Sequence, residues 1–531
     1  MMDASVIFRP SSIEREYYPG SREEQEEALK NSAQLQAYRA YREEHKNDRW
    51  NPEFHFYAPD GRINDPNGLC FWKGMYHLFY QAYPPQENTP VQDRLHWGHA
   101  VSEDMVHWRD LPLAIYPDVE YACFSGSSLA EENRVIAIYH GRWCGTMIAT
   151  ASDPLLLNWE KDPADPVIPI LPHQDENGGR PYSIFDPFLW KDETGYYALS
   201  GCMYGDLEQR GKSLQNEMVE HLFHSNDLRH WTYMGELAPG GFPHIPRGND
   251  GACPYFWPLG DKYVLLNFSH MDGAYLTLGT FDQATHRFRP ETSMRLNHGR
   301  RATACFQAPC ATPDGQGGLY LIFNTKDACR EIPRNGAMSM MYHLTLDADG
   351  APHFAPIETL ASLHRAEHRF DKMILEPFQE KVLPVTGKKL DIHMKLNLKN
   401  ARILRLRLLR SPGCEEYTDV NVYMSTGAKI PHNAVTLDST YASRFPGIRG
   451  REPEMAYFDA DVDGSIDLRV LVDKCMVEVF MNGQNVILQM VYPTRDDSEG
   501  ISLTAIGDEA EVEAMEVWEM GSIYETAEGG K

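Results

Sequence analysis

Turn-like openings recur along this chain as Asp65-Pro66, Ser125-Gly126, Asp186-Pro187, Cys253-Pro254 and Ala308-Pro309, at spacings of 60, 61, 67 and 55 residues. Offset from them is a second series in which a serine or threonine, an acid and then an aromatic recur: Ser102 to Trp108, Ser152 to Trp159, Ser225 to Trp231 and Thr280 to Phe288. Between these markers, short aromatic and β-branched runs alternate with Gly, Pro, Asn and Asp, which is the pattern of short strands. Turns in an ordinary β-sandwich come every ~8 to 12 residues and do not group into sixties. Five units, each supplying about four short strands, predict a five-bladed β-propeller over 51–355.

The flanks read differently. Residues 22–46 are rich in helix formers and lack Pro and Gly, which predicts one long surface helix within an N-terminal helical extension, 1–50. A charged, helix-compatible linker is expected over 356–373. Beyond it, 374–531 alternates inside and outside residues in runs such as 390–398, 401–410, 468–483 and 501–506, with a hairpin signal at Asn482-Gly483. This predicts a C-terminal antiparallel β-sandwich, so the chain as a whole reads as all-β.

Composition narrows the function. The 531 residues carry 50 Lys and Arg against 76 Asp and Glu, a net charge of −26, which argues against nucleic acid as a partner. No run approaches the ~18 apolar residues that span a bilayer, and residues 1–12 lack a basic segment followed by an apolar one, so no membrane partner and a cytoplasmic location are expected. Ten cysteines without a Cys-x-x-Cys pair, and no His-Glu-x-x-His run, signal neither a disulfide scaffold nor a zinc site, and no cofactor or metal is implied. The helical extension and the sandwich could pack on the propeller or mediate homo-oligomerisation.

In a propeller the first residues of the innermost strands converge on a central funnel. Asp65 and Asp186 hold equivalent opening positions, so their carboxylates can face one cavity. Two acids converging on a sugar-sized pocket suit glycoside cleavage, one attacking the anomeric carbon and another protonating the leaving oxygen. Taken alone, Asp65-Pro66-Asn67-Gly68 reads first as a plain turn, since all four residue types form turns.

Longer matches go further. HFYAPDGRINDPNGLCFWKGMYHLFYQAYP (55–84), HWGHAVSEDMVHWRDLPLAIYPD (96–118) and CFSGS (123–127) closely resemble the first two blades of glycoside hydrolase family 32, the invertase, fructanase and sucrose-6-phosphate hydrolase group. LRVLVDKCMVEVFMNG (468–483) resembles the signature of that family's accessory sandwich. The resemblance implies a small-molecule or oligosaccharide substrate and a retaining mechanism, with Asp65 as nucleophile. It also implies that Asn64, Gln81, Trp97, Phe124 and Ser125 line the sugar subsite, with the Trp97 ring as an apolar wall.

Two departures stand beside these matches. Relatives carry Arg-Asp-Pro in the third blade, where the aspartate steadies the transition state; here Asp186 is kept but Phe185 replaces the arginine. A guanidinium offers five donors and a phenyl ring none, so the polar network around the sugar must differ. In the fourth blade the family's Glu-Cys-Pro, whose glutamate is the general acid and base, reads Ala252-Cys253-Pro254. Alanine transfers no proton, and positioned acid catalysis is worth ~10² to 10⁴ in rate. Asp250, two residues upstream, is the first substitute. His244, Asp206, Glu208 and His298 are further polar residues on segments bordering the funnel, without a motif to recommend them.

Three readings follow: a β-fructofuranosidase-like glycosidase with a non-standard acid/base; a noncatalytic sugar-binding or regulatory protein that kept the fold; and a furanosidase for another sugar such as arabinofuranose. The last usually inverts, which needs carboxyls ~6.5 to 9.5 Å apart.

Overall fold

A computed structural model describes residues 10–88, 94–171, 182–203, 217–296, 299, 306–325, 336–425, 433–448, 450–461 and 463–524. Five antiparallel sheets follow one another along the chain, each made of consecutive strands. The first joins Arg62–Trp72, Met75–Tyr83, His96–Ser102 and Arg109–Ile115, and the second starts at Cys123–Ala130. The third, fourth and fifth begin with Pro187–Asp192, Ala252–Leu259 and Phe306–Pro313. These leading strands touch in order, and the first also touches the fifth, which closes the ring. The closure is reinforced from outside it: Tyr57 bridges Ala337 of the fifth blade, and the Met338 amide donates to the Phe56 carbonyl at 2.8 Å.

Both sequence series acquire a physical cause. The Ser/Thr-acid-aromatic series is one turn built repeatedly between the third and fourth strands. In the first blade Asp104 Oδ1 accepts the amides of Val106 and His107 at 3.0 and 2.8 Å, Met105 adopts a positive φ of 62°, and the Trp108 indole donates to the Met105 carbonyl at 3.0 Å. The third blade repeats this with Asp227, Leu228 at φ 70° and Trp231, and in the second Trp159 donates to Leu156, at φ 53°. The X-Pro series marks irregularities in the innermost strands: pairing shifts register between Ile63 and Pro66, Ala252 and Tyr255, and Gln307 and Pro309. Asp186, Cys253 and Ala308 all have positive φ, at 39°, 50° and 31°. Such bulges re-aim a side chain and accommodate a proline that cannot donate to the ladder.

The helical extension differs from the single surface helix expected over 22–46. Helix α1 (Arg22–Leu29) ends at Lys30, and α2 (Ala33–His45) starts afresh from Ser32, whose hydroxyl accepts the Leu35 amide at 3.2 Å. Leu29, Leu35 and Tyr38 are buried against Met75, Val101 and Leu111 of the first blade and Leu155 and Leu157 of the second. A break that re-aims the second helix lets both apolar stripes reach the propeller.

The expected linker over 356–373 is also not one. After a short 3₁₀ turn, Glu358–Leu363, the strand His364–Phe370 pairs with Ala510–Met520 as the edge of a seven-stranded sheet. Its charged residues read as a connector because an edge strand exposes them to water. That sheet packs face to face on a six-stranded one around a core that includes Leu404, Leu406, Val420, Leu468, Val470 and Val517.

The sandwich is locked to the propeller by the 468–483 segment. Asp473 accepts the backbone amides of Glu53, Phe54 and His55 at 2.8, 2.8 and 3.0 Å, and the Cys475 thiol donates to the Trp50 carbonyl at 2.9 Å. No described helix is long and apolar enough to cross a membrane.

Candidate active site

Asp65 lies within the first strand of the first blade, 8% exposed, where the register shift before Pro66 turns it out of the regular pleat. Its Oδ2 accepts the Ser125 hydroxyl of the second blade at 2.6 Å. Ser125 is in turn bonded by Gln81 Nε2 at 2.6 Å, Gln81 Oε1 accepts Asn64 Nδ2 at 2.9 Å, and Asn64 Oδ1 accepts Asn324 Nδ2 of the fifth blade at 2.9 Å. Asn324 Nδ2 also stands 3.5 Å from Asp65 Oδ1. Three blades thus hold the Asp65 carboxylate through one chain of donors and acceptors, and buried networks of this kind fix geometry.

Asp186 arrives from the third blade, 3% exposed. The two carboxylates meet at one atom: the Cys253 sulfur of the fourth blade lies 3.4 Å from Asp186 Oδ2 and 3.7 Å from Asp65 Oδ2. Burial, then the charges of Asp186 and Asp65, push the Cys253 thiol far above the ordinary range, so it stays protonated and donates to the carboxylates. Sequence reasoning passed over Cys253 although it occupies the same opening position as the two aspartates; the signal was present in the Cys253-Pro254 pair. Asn324 carried no such signal.

The remaining expected residues divide. Asn64, Gln81 and Ser125 belong to the network around Asp65. Phe124 is half-buried at the mouth of the second blade, its ring 5.8 Å from that of His140, and the His140 ring lies 5.1 Å from Phe185. Trp97 is placed differently from the expected wall. Its side chain is fully buried among Phe79 and Tyr139, and its indole donates to the Phe124 carbonyl at 2.9 Å, so it supports the site from behind.

Ala252 is 1% exposed and carries no acid, as its sequence dictates. Two carboxyls stand near it. Glu220, on the third strand of the third blade, packs against Gly251, with Asn267 Nδ2 donating to its Oε1 at 3.2 Å. Burial chiefly, and the neighbouring Asp250 charge, raise its pKa well above the usual carboxyl range, so it is held neutral. Asp250 is 3% exposed and does not stand alone as a proton donor: its Oδ1 accepts the His270 amide at 2.9 Å and its Oδ2 faces His270 Nδ1 at 2.6 Å. His244 lies apart, its Nε2 3.2 Å from the Glu291 carbonyl, while Asp206, Glu208 and His298 fall outside the described residues. Among the described residues no group of His, Cys, Asp and Glu is arranged to hold a metal ion.

Comparison with known proteins agrees with this architecture. Residues 55–351 match the glycosyl hydrolases family 32 N-terminal domain, and 359–519 match the glycosyl hydrolases family 32 C-terminal domain. A sucrose-6-phosphate hydrolase of Zymomonas mobilis subsp. mobilis is 25% identical over 507 residues, covering 88% of this chain and 92% of the relative. Among solved structures, fructan 1-exohydrolase IIa from Cichorium intybus superposes with a TM-score of 0.76 at 21% identity, covering 90% of this chain and 98% of its own. Sucrose-6-phosphate hydrolase from Lactobacillus gasseri gives 0.74 at 21% identity, over 93% and 98%.

Proposed function

Because the chain belongs to glycosyl hydrolase family 32, we propose that it is a retaining glycosidase that cleaves a β-fructofuranosidic bond. Asp65 is the nucleophile: its carboxylate attacks the anomeric carbon and forms a covalent glycosyl-enzyme, which water then hydrolyses. Asp186 stabilises the charge that develops on the ring and binds its hydroxyls. Asn64, Gln81 and Ser125 hold Asp65 in place, and Phe124 and Phe185 supply apolar contact. The observation that carries this reading is the convergence of Asp65 and Asp186 on the Cys253 thiol, at 3.7 and 3.4 Å. The relatives named above include sucrose-6-phosphate hydrolases and a fructan exohydrolase, which points to a fructoside substrate. A cytoplasmic location accords with the seven free cysteines among the described residues, two of them half-exposed.

Stereochemistry tests the mechanism. With methanol present, turnover of an aryl β-fructofuranoside is expected to give the methyl β-fructofuranoside; the α product would replace the reading with an inverting one.

Ala252 favours a second reading, a sugar-binding protein that lost catalysis with its acid. It predicts fructoside binding by calorimetry with no turnover even of an aryl glycoside, whose leaving group needs little protonation.

A further inference from the structure

A retaining fructosidase whose fourth blade offers Ala252 needs its proton from another group. We propose that His270 is the general acid and base of this site and that Asp250 is the positioning residue that orients it; the inference rests on the glycosidase reading above.

Placement argues for it first. His270 directly follows the second strand of the fourth blade, Lys262–Ser269, whose Phe268 pairs with Ala252. The hairpin therefore brings residue 270 to the end of the blade at which Ala252 and Cys253 stand. The His270 ring lies 4.6 Å from Phe268 and 6.4 Å from Phe185, the residue before Asp186. Its side chain is 37% exposed, whereas that of Asp250 is 3% exposed and Glu220 is 1% exposed. Of these three groups, only the imidazole is both beside the site and open to proton exchange with water.

Orientation argues for it second. Asp250 grips His270 twice, through its amide and through Nδ1. A carboxylate on Nδ1 keeps that nitrogen protonated and assigns proton transfer to Nε2, as an aspartate does for histidine in hydrolytic triads.

The charge balance argues for it third. The family resemblance places an arginine where Phe185 stands, and a fixed guanidinium beside His270 would oppose the imidazolium. Phe185 removes that charge, so the two departures from the family pattern fit one another. Among the described residues, Glu220 of the third blade interacts electrostatically with Asp250, and the His140 ring of the second lies 5.1 Å from that of Phe185.

The steps balance. Asp65 bonds to the anomeric carbon while the bond to the leaving oxygen breaks; the electron pair goes to that oxygen, which takes the proton from His270 Nε2. Neutral Nε2 then accepts a proton from water as its oxygen attacks the same carbon, the bond to Asp65 breaks, and carboxylate and imidazolium are restored.

The test compares kcat/KM on sucrose and on p-nitrophenyl β-fructofuranoside for wild type, His270→Ala, His270→Gln, Asp250→Asn and Asp65→Asn. Loss of the acid is expected to cost sucrose ~10² to 10⁴-fold and the aryl substrate far less. Asp250→Asn, which keeps the imidazole but loosens its orientation, is expected to lower kcat on sucrose with KM little changed and to spare the aryl substrate. Equal losses on both substrates in a folded His270 variant, or an Asp250→Asn variant with unchanged kcat on sucrose, overturn the proposal. The glutamine variant keeps the question open to decision if alanine unfolds the hairpin. Asp65→Asn should abolish both reactions; if it does not, or if wild type turns over neither substrate, the glycosidase reading itself falls and takes the proposal with it.

Discussion

His55 Nδ1 of the propeller stands 2.8 Å from Asp473 Oδ2 of the sandwich, and both side chains are fully buried. Glu478 flanks the other ring nitrogen at 3.3 Å. Burial alone would lower the His55 pKa, but the hydrogen bonds to Asp473 and Glu478 outweigh it and raise it to about 9. A folded pKa above the unfolded value of ~6.5 means that the contribution is fully present below ~6.5 and is lost as pH rises through about 9. The wild-type Tm is therefore expected to fall between pH 7 and 9.5 more steeply than that of His55→Gln. Asp473→Asn, which removes one of the two carboxylate charges facing the buried imidazole and weakens the acceptor of three backbone amides, should cost about 3 to 5 kcal/mol, read by urea unfolding.

Cys253 touches both carboxylates yet should be chemically inert. Its thiol is 4% exposed and its pKa is pushed far upward, and the thiolate is the species that reacts. Iodoacetamide at pH 8 is expected to label the half-exposed Cys414 first, Cys144 only slowly because burial pushes its thiol up to about 11, and the peptide carrying Cys253 not at all until denaturant is added. Rapid labelling of Cys253 with parallel loss of activity would contradict its placement.

The repeated outer turn makes a local prediction. Asp104 accepts two backbone amides and stands 2.7 Å from His107 Nδ1. Asp104→Ala should cost about 1 to 2 kcal/mol and lower Tm by a few degrees, with kcat unchanged because the turn lies at the outer edge of the blade.

Close packing of the third and fourth blades makes another. A Cβ on Gly201 would lie 1.4 Å from the Gly251 carbonyl oxygen, a backbone atom next to Ala252. Gly201→Ala is expected to push the innermost strand of the fourth blade out of place. Activity measured on folded protein should drop at least tenfold; a fully active variant would mean that the blades have room to part.

What was readable in the sequence was what is made locally. The outer turns need an acid, a residue tolerating positive φ and an indole within a few positions, and the inner openings need a proline beside a bulge, so both repeat visibly and lead to five blades. Asp65 was singled out only because residues 55–84 resemble the first blade of glycoside hydrolase family 32; its own tetrapeptide reads first as a turn. Features set by contacts across the chain were not legible. Ser32 starts a second helix, and Leu29 of the first and Leu35 and Tyr38 of the second are buried in one cluster with residues of the first two blades. Residues 364–370 become a strand only because Ala510–Met520 offers an edge. Trp97 looks like a sugar platform until Phe79 and Tyr139 enclose it. Asp250 looked like a lone acid because its partner, His270, is 20 residues away across a hairpin.

The most direct test of the account is the turnover of p-nitrophenyl β-fructofuranoside by wild type and Asp65→Asn under identical conditions. A nucleophile reduced to an amide should leave a folded protein slower by a thousandfold or more, whereas comparable rates for the two proteins would contradict the assignment on which every catalytic role here depends.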